Sequence, residues 1–289
     1  MSAVQQKARV LLHEAMAKNT FRLRLDGVEL ATTITPGQFF MVKIPGENDP
    51  LLGRPFALFD ICKDAEGRVA GLEFGYVVVG KMTGRLAQLQ AGDEVEIWGP
   101  LGNGFPASPG GRLVFVAGGI GQTPFLALAR EALGVQSYPQ QNPRKVVQPS
   151  SVTLCYGARN AEFLAGVEDF KSVPGLKVEL ATDDGSEGHR GYVTQLLEEH
   201  LKAPGEPVTI YACGPEPMLK AVQKLALSYN ATCWLSLETP MACGFGACFS
   251  CVAKIRETTP AGEESWDYRR TCVEGPVFEA RELIFENHP

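Results

Sequence analysis

Three cysteines fall within nine residues of this chain: Cys243, Cys248 and Cys251, in the run C-G-F-G-A-C-F-S-C. A fourth, Cys272, follows twenty-one positions after Cys251. C-x4-C-x2-C with a distant fourth cysteine is the plant-type spacing of a [2Fe–2S] cluster, held by thiolates. Such a cluster carries one electron at a time, so the spacing points to electron transfer. Gly244 and Gly246 allow the tight curvature that brings three sulfurs round one side of a cluster. Four cysteines also hold zinc. Structural zinc sites, however, usually pair their cysteines as two C-x2-4-C units, and the lone fourth cysteine favours iron–sulfur. Cys62, Cys155 and Cys233 show no partner spacing and read as buried thiols.

Two glycine turns carry nucleotide chemistry. Ala117-Gly118-Gly119-Ile120-Gly121-Gln122-Thr123-Pro124 follows an apolar strand and opens a helix. Glycines let backbone approach a phosphate, and a helix start offers free N–H groups to a pyrophosphate. Thr123 before Pro124 reads as N-cap then N1. The run is not G-x-G-x-x-G, and a purely structural corner gives the same string. Cys213-Gly214-Pro215 again stands between a strand and a helix. Ligands of an open α/β sheet collect at the carboxyl ends of its strands, so both turns are expected on one edge. Cys213 then lies beside a bound nicotinamide, or is simply a small buried thiol.

Arg54-Pro55-Phe56-Ala57, further upstream, offers a guanidinium for phosphate oxygens and a ring to stack on a flat ligand. Met82-Thr83-Gly84 and the run Gly99–Phe105 are further glycine-bearing turns, with ordinary hairpin turns as the alternative.

These residues need elements to hold them. Up to about residue 105 the chain reads as short strands between turn signals. Phe21, Leu23 and Leu25 alternate with arginines, and apolar runs span 39–44, 76–79 and 95–98. Helix-period faces are largely absent, so an antiparallel barrel is expected over residues 1–106. Strands at 113–117, 152–156, 178–181 and 208–212 then alternate with helical stretches at 125–133, 193–201 and 218–227. That rhythm predicts a parallel-sheet, nucleotide-binding α/β domain over 107–235. Residues 136–151, with Pro139, Pro143 and Pro149, break it and read as an exposed, flexible loop. Residues 236–289 form a small C-terminal cysteine module. The expected class is thus multidomain, β plus α/β.

Composition narrows the function. A formal net charge of −6 excludes the basic footprint of a general nucleic-acid binder. No apolar run is long enough for a membrane helix, and the first residues lack a signal peptide's apolar stretch. A reducing cytoplasm is the expected compartment.

In this order, the barrel motif, the two glycine turns and the cysteines resemble the ferredoxin-reductase superfamily of flavoproteins. More closely, the chain is similar to the electron-transfer subunit of two-subunit, NAD-linked dihydroorotate dehydrogenases. The runs Met241–Cys251, Trp98–Phe105, Thr182–Ser186 and Gly275–Phe278 carry that similarity. The resemblance implies FAD in the barrel, near Arg54, Pro55, Phe56 and Ala57, with Tyr76, Val77, Met82 and Thr83 at flavin-contacting positions. It implies NAD(H) as cosubstrate near Gly118, Gly119, Gly121, Thr123, Cys213, Gly214 and Pro215. It also implies a [2Fe–2S] cluster on Cys243, Cys248, Cys251 and Cys272. The implied partner is an FMN-containing dihydroorotate dehydrogenase catalytic subunit in a heterotetramer. Substrate chemistry would sit in that partner, so no residue here is expected to act as a general acid or base. Ala57 stands where the family usually has Ser or Thr, Met82 where glycine is common, and 136–151 looks like an insertion. Two other readings stay open. The chain could serve a hydrogenase or a bifurcating transhydrogenase, or it could be a zinc-stabilised binding module without redox activity.

Overall fold

A computed structural model describes residues 4–27, 29–46, 48–138, 144–258 and 262–285. Six strands come first: β1 (Val4–Ala17), β2 (Thr20–Asp26), β3 (Phe39–Lys43), β4 (Arg54–Lys63), β5 (Val69–Val77) and β6 (Glu94–Leu101), with helix α1 (Lys81–Leu86) between the last two. They close into an antiparallel barrel in the order β1-β2-β5-β4-β3-β6. The expected alternation on β2 is present: Leu23 and Leu25 are fully buried, while Arg22 and Arg24 face outward. Inside the barrel, Phe40 and Phe74 meet edge to face, rings 5.6 Å apart.

Strand β1 is the part of the barrel that periodicity does not announce. It pairs with β6 over Val4–Arg9 and with β2 over Val10–Ala17, with register breaks at Val10/Leu12 and Ala15/Ala17. Changing partner and bulging twice resets the alternation, and only Ala8 and Val10 are fully buried. A second correction concerns Met82-Thr83-Gly84, which is helical rather than a hairpin turn. Met82 and Leu86, four residues apart, plug the barrel core. The Thr83 hydroxyl accepts from the backbone of Val79 and Gly80 at 3.0 and 3.1 Å. Packing and this side-chain cap hold a six-residue helix that Gly84 alone would disfavour.

The α/β part runs β7 (Arg112–Gly118), α2 (Phe125–Ala132), β8 (Ser151–Ala158), α3 (Val167–Lys171), β9 (Leu176–Thr182), β10 (His189–Arg190), α4 (Val193–Lys202), β11 (Val208–Cys213), α5 (Glu216–Ser228) and β12 (Thr232–Ser236). Four short strands follow: β13 (Val252–Thr258), β14 (Glu264–Arg270), β15 (Val277–Glu279) and β16 (Leu283–Ile284). One sheet orders β10-β9-β8-β7-β11-β12-β15; all neighbours are parallel except β12 and β15. The chain moves outward from β7 through β8 and β9, then returns to the other side of β7 as β11. The switch point lies between β7 and β11, where Ala117 is the register partner of Cys213. Strands β14, β13 and β16 make a separate small sheet.

Two more expectations change. Thr123 does not cap α2. Gly119–Gln122 already form a 3₁₀ turn, Thr123 has helical dihedrals, and its hydroxyl donates back to the Ile120 carbonyl at 3.0 Å. Nor are the described ends of 136–151 loose. Tyr138 is buried, with its hydroxyl on the Asp60 carboxylate at 2.6 Å, joined by Gln136 at 2.9 Å and by Arg130. Arg144 grips Glu131 and the Phe105 carbonyl. The first end is pinned because Asp60, a buried carboxylate on β4, needs partners, and the second because Arg144 reaches Glu131 and Phe105. Pro139 and Pro143 lie outside the described residues. Among the other thiols, Cys155 and Cys233 are buried as expected, but Cys62 is only half-buried. No helix among the described residues is long and apolar enough to cross a membrane.

Candidate cofactor cleft and cysteine cluster

A cavity of about 1080 Å³ opens between barrel, sheet and C-terminal segment. Single-ligand pockets run to about 300–1,000 Å³, so there is room for a dinucleotide and a second ligand. The barrel contributes Arg54, Pro55, Phe56 and Ala57 from β4, Tyr76 and Val77 from β5, and Met82 and Thr83 from α1. The sheet contributes Gly118 at the end of β7 with Gly119, Gly121 and Thr123 after it, and Cys213 at the end of β11 with Gly214 and Pro215 after it. Every cofactor-site residue singled out in the sequence therefore reaches this one cavity.

The barrel wall is aromatic and preset. Phe56 and Tyr76 lie 5.5 Å apart, and Phe21 stacks on Tyr76 at 5.8 Å. The Tyr76 hydroxyl meets His13 Nε2 at 2.8 Å, and His13 Nδ1 meets the Leu89 carbonyl at 2.8 Å. A carbonyl can only accept, so Nδ1 carries the proton and Tyr76 donates to Nε2. Burial pushes the Tyr76 phenol well above its ordinary value, so it stays a neutral donor. Arg54 has no carboxylate partner among the described residues and bonds only the Leu52 and Gly53 carbonyls, both at 3.0 Å. It lines the cavity, and among the described residues no carboxylate offsets its charge.

The two glycine turns pack against each other. A Cβ on Gly121 would sit 2.2 Å from the Cys213 carbonyl oxygen, and one on Gly118 2.7 Å from Met218 sulfur. Gly119 has φ +55°, and a Cβ there would meet nothing within 4 Å. Two glycines thus serve close packing, and one leaves open backbone toward the cavity, as a phosphate cradle requires. The Cys213 thiol is pushed up to about 12 by burial, with Ser236 pulling the other way. It is a neutral thiol at the cavity edge, not a nucleophile.

Several lining residues were not among those expected to hold a cofactor, although Asp183 and Met241 lie in runs that carry the family resemblance. Gly157 and Ala158 end β8 and Arg159 follows it, and Asp183 follows β9. Val193 and Thr194 open α4, and Thr239 and Met241 lead from β12 toward the cysteines. All sit at or near carboxyl ends of parallel strands, and topology alone would have found most of them.

The cysteines occupy one loop and the turn that closes it. Cys251 and Cys272 are buried, Cys243 is half-buried and Cys248 is exposed. Cys243 lies in hydrogen-bonding contact with Cys248, and Cys251 with Cys272. The Cys248 thiol is drawn down to about 6 by the Ser250 hydroxyl, 3.1 Å away, then by backbone N–H groups of Ser250 and Cys243. Burial pushes Cys272 up to about 12, while the Gly246 backbone N–H opposes that. Four thiols in two contacting pairs, with backbone donors on Cys248 and Cys272, fit an iron–sulfur cluster, whose sulfurs take such bonds.

The loop rests on the barrel. Phe39, Met41 and Leu101 pack with Met241, Cys251 and Cys272. A Cβ on Gly244 would lie 2.5 Å from Met41, so the loop has no slack there. The Asn103 side chain donates to the Glu274 and Val277 carbonyls at 3.0 and 2.8 Å, just beyond Cys272. Thr239, on the cavity wall, meets the Thr271 hydroxyl at 2.5 Å, and Thr271 bonds the Cys251 carbonyl at 3.1 Å. Met241 both lines the cavity and touches the cysteines.

Comparison with known proteins agrees with this division. Residues 7–105 match the oxidoreductase FAD-binding domain and 115–224 the oxidoreductase NAD-binding domain. Residues 238–284 match the iron–sulfur cluster binding domain of dihydroorotate dehydrogenase B. The "Dihydroorotate dehydrogenase B (NAD(+)), electron transfer subunit" of Caldanaerobacter subterraneus subsp. tengcongensis is 35% identical, over 97% of this chain and 99% of its own. That of Bacillus caldolyticus is 37% identical, over 97% and 98%. The NADH-dependent reduced ferredoxin-NADP oxidoreductase structure shares the fold at TM-score 0.76 and 24% identity, over 96% of this chain and 89% of that one. The chain has the FAD-, NAD- and iron–sulfur-binding domains of an oxidoreductase, and it belongs to the family of dihydroorotate dehydrogenase B electron transfer subunits.

Proposed function

We propose that this chain carries electrons between NAD(H) in its cleft and the FMN of a dihydroorotate-oxidising catalytic subunit, by way of FAD and a [2Fe–2S] cluster. When bound, FAD exchanges a hydride with nicotinamide and the cluster passes the electrons on singly. Arg54 and the open backbone at Gly119 would hold phosphates. Phe56 and Tyr76 would flank the flat ring, with the Tyr76 hydroxyl tied back to His13 Nε2. Gly118, Gly121, Thr123, Cys213, Gly214 and Pro215 would shape the nicotinamide side. Pro55, Ala57, Val77, Met82 and Thr83 would complete the flavin side, with Ala57 offering backbone only. Cys243, Cys248, Cys251 and Cys272 would be the iron ligands.

The observation that carries this reading is the continuity through Met241, one side chain shared by cavity wall and cysteine cluster. Short contact between the two cofactor sites is what stepwise electron passage needs. Phe245 and Phe249, both exposed on the loop beside Cys248, offer an apolar face to a partner. Two copies of each chain in a heterotetramer would be the working assembly. Eight unpaired thiols suit the reducing cytoplasm.

Anaerobic purification with the co-expressed catalytic chain tests the proposal. Flavin and iron–sulfur absorption that both bleach on adding dihydroorotate support it. A complex recovered with a hydrogenase subunit and no FMN-binding partner would falsify it, as would a colourless protein holding zinc.

A further inference from the structure

Far from the cysteine loop, three groups of different chemistry converge under α4. Cys155 on β8 and Glu179 on β9 are register partners, so their side chains leave the same face of the sheet. That face is covered by α4, which brings His200 down onto it. His200 Nε2 lies 2.8 Å from Glu179 Oε2, and Cys155 Sγ lies 3.8 Å from the same oxygen. The three donor atoms all fall within 4.8 Å of one another.

We propose that Cys155, Glu179 and His200 form a zinc site that braces α4 against the sheet. Zinc takes sulfur at about 2.3 Å and nitrogen or oxygen at about 2.0–2.2 Å in a tetrahedron. Tetrahedral edges from those lengths are about 3.6 Å for sulfur–oxygen and about 3.4 Å for nitrogen–oxygen. The sulfur–oxygen spacing already matches, and the nitrogen–oxygen pair need only open by roughly half an ångström. A thiolate and a carboxylate together balance the dication, with neutral imidazole completing the set. His200 stands in the last turn of α4, where the helix dipole favours a cation. Glu179 and His200 are each about a fifth exposed, at 22% and 20%, giving an entry path and a fourth position for water.

Lys177 also holds Glu179, at 2.6 Å, but on the other oxygen, Oε1. Its side chain is 66% exposed and can turn into solvent. Burial and Glu179 together push the Cys155 thiol far above its ordinary value. Zinc binds the thiolate, so loading the site would release the Cys155 proton. The first residues of α4, Val193 and Thr194, line the cofactor cavity, so the brace would steady the nucleotide half of the cleft.

The test uses the FAD- and iron-loaded protein, titrated with zinc and read by zinc content after gel filtration and by zinc K-edge absorption. The expected result is one zinc per chain, with one sulfur and the rest nitrogen or oxygen, at unchanged iron. Cys155→Ser and His200→Gln should each weaken zinc binding by more than the roughly 10–100-fold that loss of an outer-shell partner costs. Iron and FAD content should stay as in the parent. If Cys155→Ser does not fold, His200→Gln, at the half-open side, decides alone. No retained zinc, zinc bound as tightly in the variants, or a sulfur-rich shell from the four-cysteine loop would each overturn the proposal.

Discussion

The indole Nε1 of Trp98 donates to the carbonyl oxygen of Cys243 at 2.9 Å. A barrel strand thereby holds the first residue of the cysteine loop across 145 positions of sequence. Met41 packs under Gly244 beside it, and Phe39 of the same strand both packs with the cysteines and lines the cofactor cavity.

Replacing Trp98 by Phe removes the donor and keeps most of the apolar bulk. The loss should be about 0.5–1.5 kcal/mol, the usual worth of one hydrogen bond. It should appear as faster iron release to a chelator, with FAD content unchanged. Equal release rates in parent and variant would show that the bond does not hold the loop.

Iron content separates the cysteines. Cys272→Ser should lose or destabilise the cluster, because Cys272 closes the loop against Cys251. Cys233→Ser should keep full iron, since Cys233 is buried within the sheet core. Identical iron in parent and Cys272→Ser would sink the ligand assignment.

The glycine turns should differ in tolerance. Gly121→Ala forces a Cβ to 2.2 Å from the Cys213 carbonyl oxygen and 2.7 Å from the Gly214 nitrogen, both backbone atoms that cannot swing away. Overpacking of this kind costs about 1–3 kcal/mol and should also displace the Cys213 turn, weakening NAD(H) binding. Gly119→Ala meets open space and carries only the left-handed backbone cost of about 1–2 kcal/mol. Thermal unfolding with and without NADH reads both effects. A Gly121→Ala protein binding NADH like the parent would contradict the packing described.

Glu73 on β5 gives a pH signature. Burial raises its carboxyl above the usual value, although Arg24 and Arg22 pull it back. Ionising it therefore costs more in the fold than in the unfolded chain. The stability of the parent relative to Glu73→Gln is fully present below the ordinary glutamate value of 4.5, falls as pH rises through the folded value, then levels off. Melting temperatures of both proteins from acid to neutral pH measure this. A relative stability that grows with pH would reverse the assignment of cause.

What the residues and their spacing determined was chemical. Cys243, Cys248, Cys251 and Cys272 declare themselves because cluster geometry fixes how many residues separate thiolates. The turns at Gly118 and Gly214 declare themselves because close backbone approach excludes any other residue. Strands β7, β8, β9 and β11 were legible as apolar runs, since a parallel sheet buries both faces, whereas the two-residue β10 gave no such run. Tertiary structure decided the rest. β1 hid because it changes partner midway, and α1 because Met82 and Leu86 fold it onto the barrel despite Gly84. The segment from Gln136 took its order from Asp60, seventy-odd residues away, and the zinc triad exists only where β8, β9 and α4 meet. Above all, the sequence kept flavin motif and cysteines nearly two hundred residues apart. Trp98, Asn103 and Met241 bring them to one wall, because contacts between distant strands follow packing and not spacing.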